Sequence, residues 1–202
     1  MMTAVPITPK KAERLRKKIA DIKRMLAAEK KKFGGYDDSR GHRYVPTRFF
    51  IELGDYNKGL LYTKWFQKNF PDDIGYPEFL FEWTLILFKT GKVKEAEKKA
   101  LETFMSNVYL FDKFLEKTFL KLDIYEGSEW ERVSSLADFN YNKNRSDLLD
   151  FVDWLSTFLI SQPFYIIANE YIRIQQQLQT EPVGPSRNAL IDQSNTLLDE
   201  YK

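Results

Sequence analysis

Residues 54–71, GDYNKGLLYTKWFQKNFP, decide how the chain folds. Gly54 marks the corner of a helical hairpin that runs from about Arg43 to Asn69, and Pro71-Asp72-Asp73 punctuates its end. Glycine suits such a corner because it takes left-handed backbone angles without a Cβ clash. A second hairpin is predicted from Pro77 to Phe104, turning at Gly91. In a third, Asn107 caps a helix reaching Leu122, the chain turns near Gly127, and a shorter partner follows from Ser128 to Phe139. The three corner glycines stand 37 and 36 residues apart, the spacing expected of stacked two-helix units. No segment keeps the period-two alternation of a half-buried strand, so the fold class is all-α.

The flanks extend this pattern. Thr8 and Pro9 are a cap and a first helical residue for one long helix ending at Gly34-Gly35. Its apolar residues, Leu15, Ile19, Ile22, Leu26 and Phe33, form a narrow seam on a charged rod. After the third hairpin, Ser146 is expected to cap a helix to about Ser161. Gln162-Pro163 opens another to Leu178, and a last helix runs from about Asn188 to Tyr201. The expected organisation is a basic amphipathic helix over 1–35, helical hairpins over 36–139, and a helical cap over 140–202. A stack of hairpins needs such a cap because its last groove requires a cover with a polar outer face.

Gly54, Tyr56 and Gly59, with Pro71 seventeen residues after the turn, resemble a tetratricopeptide repeat. Gly91, Val93, Ala96 and Ala100 occupy corresponding places in the second hairpin, which lacks the aromatic after the turn and the closing proline. Gly41-His42-Arg43-Tyr44 followed by Leu53-Gly54 is similar to a variant subgroup of these repeats. The resemblance covers about residues 41–139. It implies a short right-handed stack of hairpins whose concave side, lined by the first helix of each unit, grips a peptide or a partner's tail. Projected onto this sequence, that face comprises Arg48 and Glu52, then Phe81 and Lys89, then Lys117, Lys121 and Tyr125. Cations beside aromatics suit an acidic or aromatic-bearing peptide.

Composition restricts the chemistry. The 202 residues suffice for a core without staples, and the absence of cysteine excludes disulfides, thiolate zinc sites and cysteine nucleophiles. The amino-terminal residues lack the pattern of a signal peptide, and Glu82 breaks the apolar run Phe79–Phe88, so no membrane span is expected and the cytoplasm is the expected location. The net charge of +2 conceals an asymmetry. Between Lys10 and Lys32 eleven basic residues face three acids, and the remainder of the chain is acidic.

Candidate chemistry is sparse. His42, the single histidine, has Asp37, Asp38, Arg43 and Ser39 nearby in sequence. A general base needs such a partner within hydrogen-bond reach, but a solvated loop histidine is the simpler reading. Asp72-Asp73 reads as turn chemistry. Asp147, Asp150 and Asp153 recur at helical spacing without an oxygen-rich calcium loop, which suits a wet helix face. No catalytic residue, metal or cofactor is therefore expected. The leading expectation is a non-catalytic scaffold that binds a protein or peptide through a helical-repeat groove. The alternative is an RNA or other polyanion binder acting through Arg14, Lys17, Lys18, Lys23 and Arg24, and the seam of the same helix could also pair two copies of the chain.

Overall fold

Local sequence sets the first helix. Thr8 Oγ1 accepts the Lys11 N–H at 3.3 Å, Pro9 occupies the first turn, and Gly34 closes α1 (Pro9–Phe33) in the left-handed conformation. The computed structural model describes residues 7–36, 38–118, 121–199 and 201; among them are nine α-helices, four short 3-10 turns and no strand. After a 3-10 turn at His42–Tyr44 come two hairpins, α2 (Val45–Glu52) with α3 (Tyr56–Asn69) and α4 (Pro77–Lys89) with α5 (Val93–Ser106). Gly54 (φ +66°) and Gly91 (φ +73°) stand at their corners in left-handed backbone, as the sequence predicts.

Small residues bring these helices together. A Cβ on Gly59 would come within 3.0 Å of Ile86 Cδ1, so α3 and α4 approach at a spacing where a larger residue would have to push the Ile86 side chain aside. Ala96 and Ala100 are fully buried in α5, and the hydroxyls of Thr84 and Thr103 join α4 to α5 at 3.1 Å. Helix α4 is buried on every side from Phe79 to Leu87, which accounts for its apolar residues exceeding what one face could hold.

The third hairpin does not form. Its first helix, α6, runs only from Leu110 to Phe114 and stops before Glu116, which has a positive φ of 52°. The backbone beyond finds partners other than a helical ladder. Leu122 N–H donates to the Tyr109 hydroxyl at 3.1 Å, and Tyr125 N–H to the Gln175 carbonyl at 3.0 Å. Asn107, predicted to cap this helix, instead ends α5, and its side-chain oxygen accepts Tyr109 N–H ahead of α6. It also donates its amide to the Trp130 and Arg132 carbonyls, which pins the coil back on the helix start. Only short 3-10 turns, Glu129–Glu131 and Val133–Leu136, replace the second helix, and Gly127 marks no left-handed corner.

Three helices complete the chain: α7 (Leu149–Leu159), α8 (Gln162–Thr180) and α9 (Pro185–Thr196). Ser146 opens a 3-10 turn instead of capping α7; Ser161 caps α8 by accepting Phe164 N–H. α8 lies along α5, and α7 packs on α4 by stacking Trp154 against Phe88 with ring centres 4.9 Å apart. The core centres on Phe81, whose ring meets Phe114, Phe139, Tyr141 and Phe151 at 4.9–5.6 Å. On the opposite side the α1 seam is buried at Leu15, Ile19 and Leu26, with Ile19 against Phe50 and Tyr62, so it packs on its own hairpin. No single described helix is long and apolar enough to cross a membrane; α7 and α8 pass that test only together, across a 67° bend.

Candidate functional site

Three of the residues projected onto a concave face do meet. Arg48 and Glu52 from α2 and Lys89 from the end of α4 line one cleft of about 850 Å³. Residues 140–147 form its opposite wall through Asn140, Tyr141, Arg145 and Asp147. Most charges in the cleft are committed. Glu52 pairs with Lys11 of α1 at 3.1 Å, and Arg145 with Asp147 at 2.7 Å. Lys89 is held by the Asp147 carbonyl at 2.7 Å and by the Asp150 carboxylate. Partial burial pushes the Asp147 carboxyl up, but the hydrogen bond and charge of Arg145, with Lys89 and a backbone hydrogen bond, together hold it below the usual carboxylate range.

Arg48 differs. Its side chain is 43% exposed, and its one hydrogen bond among the described residues reaches Glu78 Oε1 at a long 3.4 Å. Its Nε is shielded from solvent and has no hydrogen-bond partner among those residues. A guanidinium carries five donors, so Arg48 presents unused capacity at the cleft wall.

Behind Arg48 lies a residue that the sequence reading treated only as a break in an apolar run. Glu82 is 1% exposed, 3.7 Å from Arg48 Nε. Its Oε1 accepts the Tyr141 hydroxyl at 2.8 Å, and Oε2 lies 2.5 Å from Thr47 Oγ1. Burial pushes its carboxyl up to about 8. An acid within the apolar run Phe79–Phe88 was the available signal, because such a group is retained in a core only when neighbouring polar atoms satisfy it.

The remaining projected residues lie elsewhere. Phe81 offers no groove surface, since α4 is sandwiched and the ring is fully buried. Lys117 and Lys121 belong to the coil after α6, where the third hairpin was expected. Tyr125 lines a second cleft of about 900 Å³ between α5, the coil and α8–α9, with Arg187 4.6 Å above its ring. Exposed Trp130, packed on Tyr76 at 5.5 Å, stands on the same cleft.

The basic helix divides its charges. Lys18 lies over Phe49 at 5.4 Å and Lys23 over Tyr62 at 5.6 Å, so both serve packing on the hairpin. Arg24 pairs with Asp21 at 3.1 Å, and Arg14 and Lys17 are exposed. Around His42, the two oxygens of Asp38 accept the backbone N–H groups of His42 and Arg43 at 2.8 and 2.7 Å, so that carboxylate serves the 3-10 turn; Asp37 lies outside the described residues. Asp73 is equally structural: it accepts Arg43 Nε–H at 2.6 Å, the Tyr44 hydroxyl at 2.8 Å and Gly75 N–H at 2.9 Å. Burial, then the bond to Asp73, pushes Tyr44 up to about 12. Asp147 lies in a 3-10 turn while Asp150 and Asp153 are on α7, and no described group of three or more acids or histidine gathers as a metal site. Comparison with protein-family models, with curated proteins and with solved structures finds no match.

Proposed function

We propose that this chain is a non-catalytic interaction module that seats an acidic segment of a protein partner in the cleft between α2 and residues 140–147. The observation that carries this reading is Arg48, a guanidinium on the cleft wall whose donors exceed its partners. A carboxylate from outside does not reach the shielded Nε but accepts from the terminal N–H groups of the 43%-exposed side chain in a charge-assisted, two-pronged geometry. Lys89 and Arg145, tied to their own acids, shape the wall and set its polarity. Within this proposal the two hairpins are tetratricopeptide-like units. The left-handed corners at Gly54 and Gly91 and the small residues Gly59, Ala96 and Ala100 at the helix contacts support that reading.

The test is titration of the full chain with a fluorescently labelled Phe-Glu-Glu-Glu-Glu peptide. Arg48→Ala is expected to weaken capture roughly tenfold or more, the loss of a hydrogen bond to a charged group. Lys121→Ala, away from the cleft, is expected to leave it unchanged. Equal affinity of wild type and Arg48→Ala counts against the cleft.

A second reading has its own observation. Arg14, Lys17 and Lys31 remain exposed on α1 after Lys18 and Lys23 have been taken up by aromatic rings. Such a surface suits RNA or another polyanion, and its binding must collapse with salt. A site neutralising about six phosphates gives a slope near −5 in log affinity against log salt, whereas peptide capture responds far more weakly.

A further inference from the structure

Thr47 Oγ1 carries one hydrogen and has two oxygen neighbours at bonding distance, the Tyr44 carbonyl at 2.8 Å and Glu82 Oε2 at 2.5 Å. A carbonyl can only accept. When the hydroxyl gives its hydrogen to Tyr44, the contact with Glu82 is satisfied only if the carboxyl group donates, which places a proton on Oε2. Oε1 then accepts from Tyr141, and every polar atom around Glu82 is paired except Arg48 Nε, 3.7 Å from Oε1. The unpaired donor faces an acid that has no charge to offer it.

We propose that Glu82 is a proton-controlled lock on Arg48: neutral, it leaves the guanidinium to the cleft, and ionised, it draws Arg48 inward and away from a ligand's carboxylate. This rests on the reading of the cleft given above. The groups around the lock leave Glu82 as the one that changes charge near neutrality. From α2 it is faced by Arg48 and the uncharged Thr47, and from one turn earlier on α4 by Glu78, whose charge opposes its ionisation. Tyr141 from the coil and Tyr76 at the start of α4 are both held protonated far above this range, chiefly by burial. Arg145 acts on the lock only through Tyr141, 5.1 Å from its ring. Burial places the release of the Glu82 proton near pH 8. Below that pH the cleft offers a cation held only by its long 3.4 Å contact with Glu78; above it Glu82 neutralises the cation from within.

The experiment follows the Glu82 side-chain carboxyl carbon and the Arg48 Nε–H resonance by NMR in the full chain from pH 5 to 10, with Glu82→Gln to assign the carboxyl signal. Both resonances are expected to move together with a midpoint near 8. Arg48→Lys, which keeps the charge but has no Nε, is expected to shift the Glu82 midpoint. Affinity for the labelled Phe-Glu-Glu-Glu-Glu peptide is expected to fall about tenfold between pH 7 and 9.5 in wild type and less than twofold in Glu82→Gln. A Glu82 carboxyl that titrates in the ordinary range near 4.5, or an Arg48 resonance that stays fixed while Glu82 titrates, overturns the proposal. A peptide that binds neither protein at any pH removes the ligand reading of the cleft instead, and the two resonances still decide the lock.

Discussion

Replacing Glu82 with glutamine should flatten the pH dependence of stability between pH 5 and 8. The amide is a close copy of the neutral acid: its oxygen accepts from Tyr141 and its nitrogen donates to Thr47 Oγ1, the two contacts that Glu82 makes at 2.8 and 2.5 Å. In wild type the carboxyl is raised from 4.5 to about 8 on folding. The native state therefore keeps a proton that the unfolded chain has lost, and stability falls with rising pH across that window. The contribution is fully present below about 4.5 and is lost as pH rises through about 8. Linkage gives a slope of up to about 1.4 kcal/mol per pH unit, hence a loss of about 2.5 kcal/mol between pH 5 and 7 and about 1 more by pH 8. Groups common to both proteins cancel when the variant's curve is subtracted from that of wild type. Urea unfolding at fixed temperature, repeated at half-unit pH intervals, measures the difference directly. Curves that stay parallel from pH 5 to 8 refute the neutral buried acid, and with it the proton assignment at Thr47.

Other perturbations probe separate parts of the fold. Gly59→Val forces a branched side chain against Ile86, where a Cβ already comes within 3.0 Å, and should cost about 1–3 kcal/mol in urea unfolding. Leu26→Ala in the α1 seam should cost about 2–5 kcal/mol, because Leu26 is fully buried; a change under about 0.5 kcal/mol means that α1 does not pack on the hairpin. Arg14→Gln with Lys17→Gln should leave the melting temperature within about 1 °C, both residues being exposed, while lowering retention on a heparin column if the outer face of α1 binds polyanions. Asn107→Ala removes the amide that holds the Trp130 and Arg132 carbonyls, and hydrogen exchange should speed up across residues 128–136 before it does in α4.

What the sequence made legible and what it hid divide along a physical line. The hairpins at Gly54 and Gly91 were readable because their signals are local: a left-handed glycine at each corner, small residues at each helix contact, and proline or threonine at helix starts. The third hairpin had the same kind of glycine at the same spacing, yet Gly127 turns no corner. Its flanking segments settle into tertiary bonds with Gln175, Tyr109 and Asn107, which lie up to roughly fifty residues away and leave no periodic trace. For the same reason the projected groove survives only in Arg48, Glu52 and Lys89. It assumed that each unit's first helix shows one face to solvent, whereas residues 136–151 fold back over α4 and enclose Phe81 between Phe139, Tyr141 and Phe151. That returning segment makes the site. It supplies the far wall of the cleft, and through Tyr141 it supplies a hydrogen-bond partner for Glu82. The acid that broke an apolar run in the sequence is thus the clearest sign that α4 would be covered. A carboxylate in the buried stretch of a helix survives only where another part of the chain arrives to satisfy it, and here that part also confines Arg48, whose Nε has no hydrogen-bond partner among the described residues.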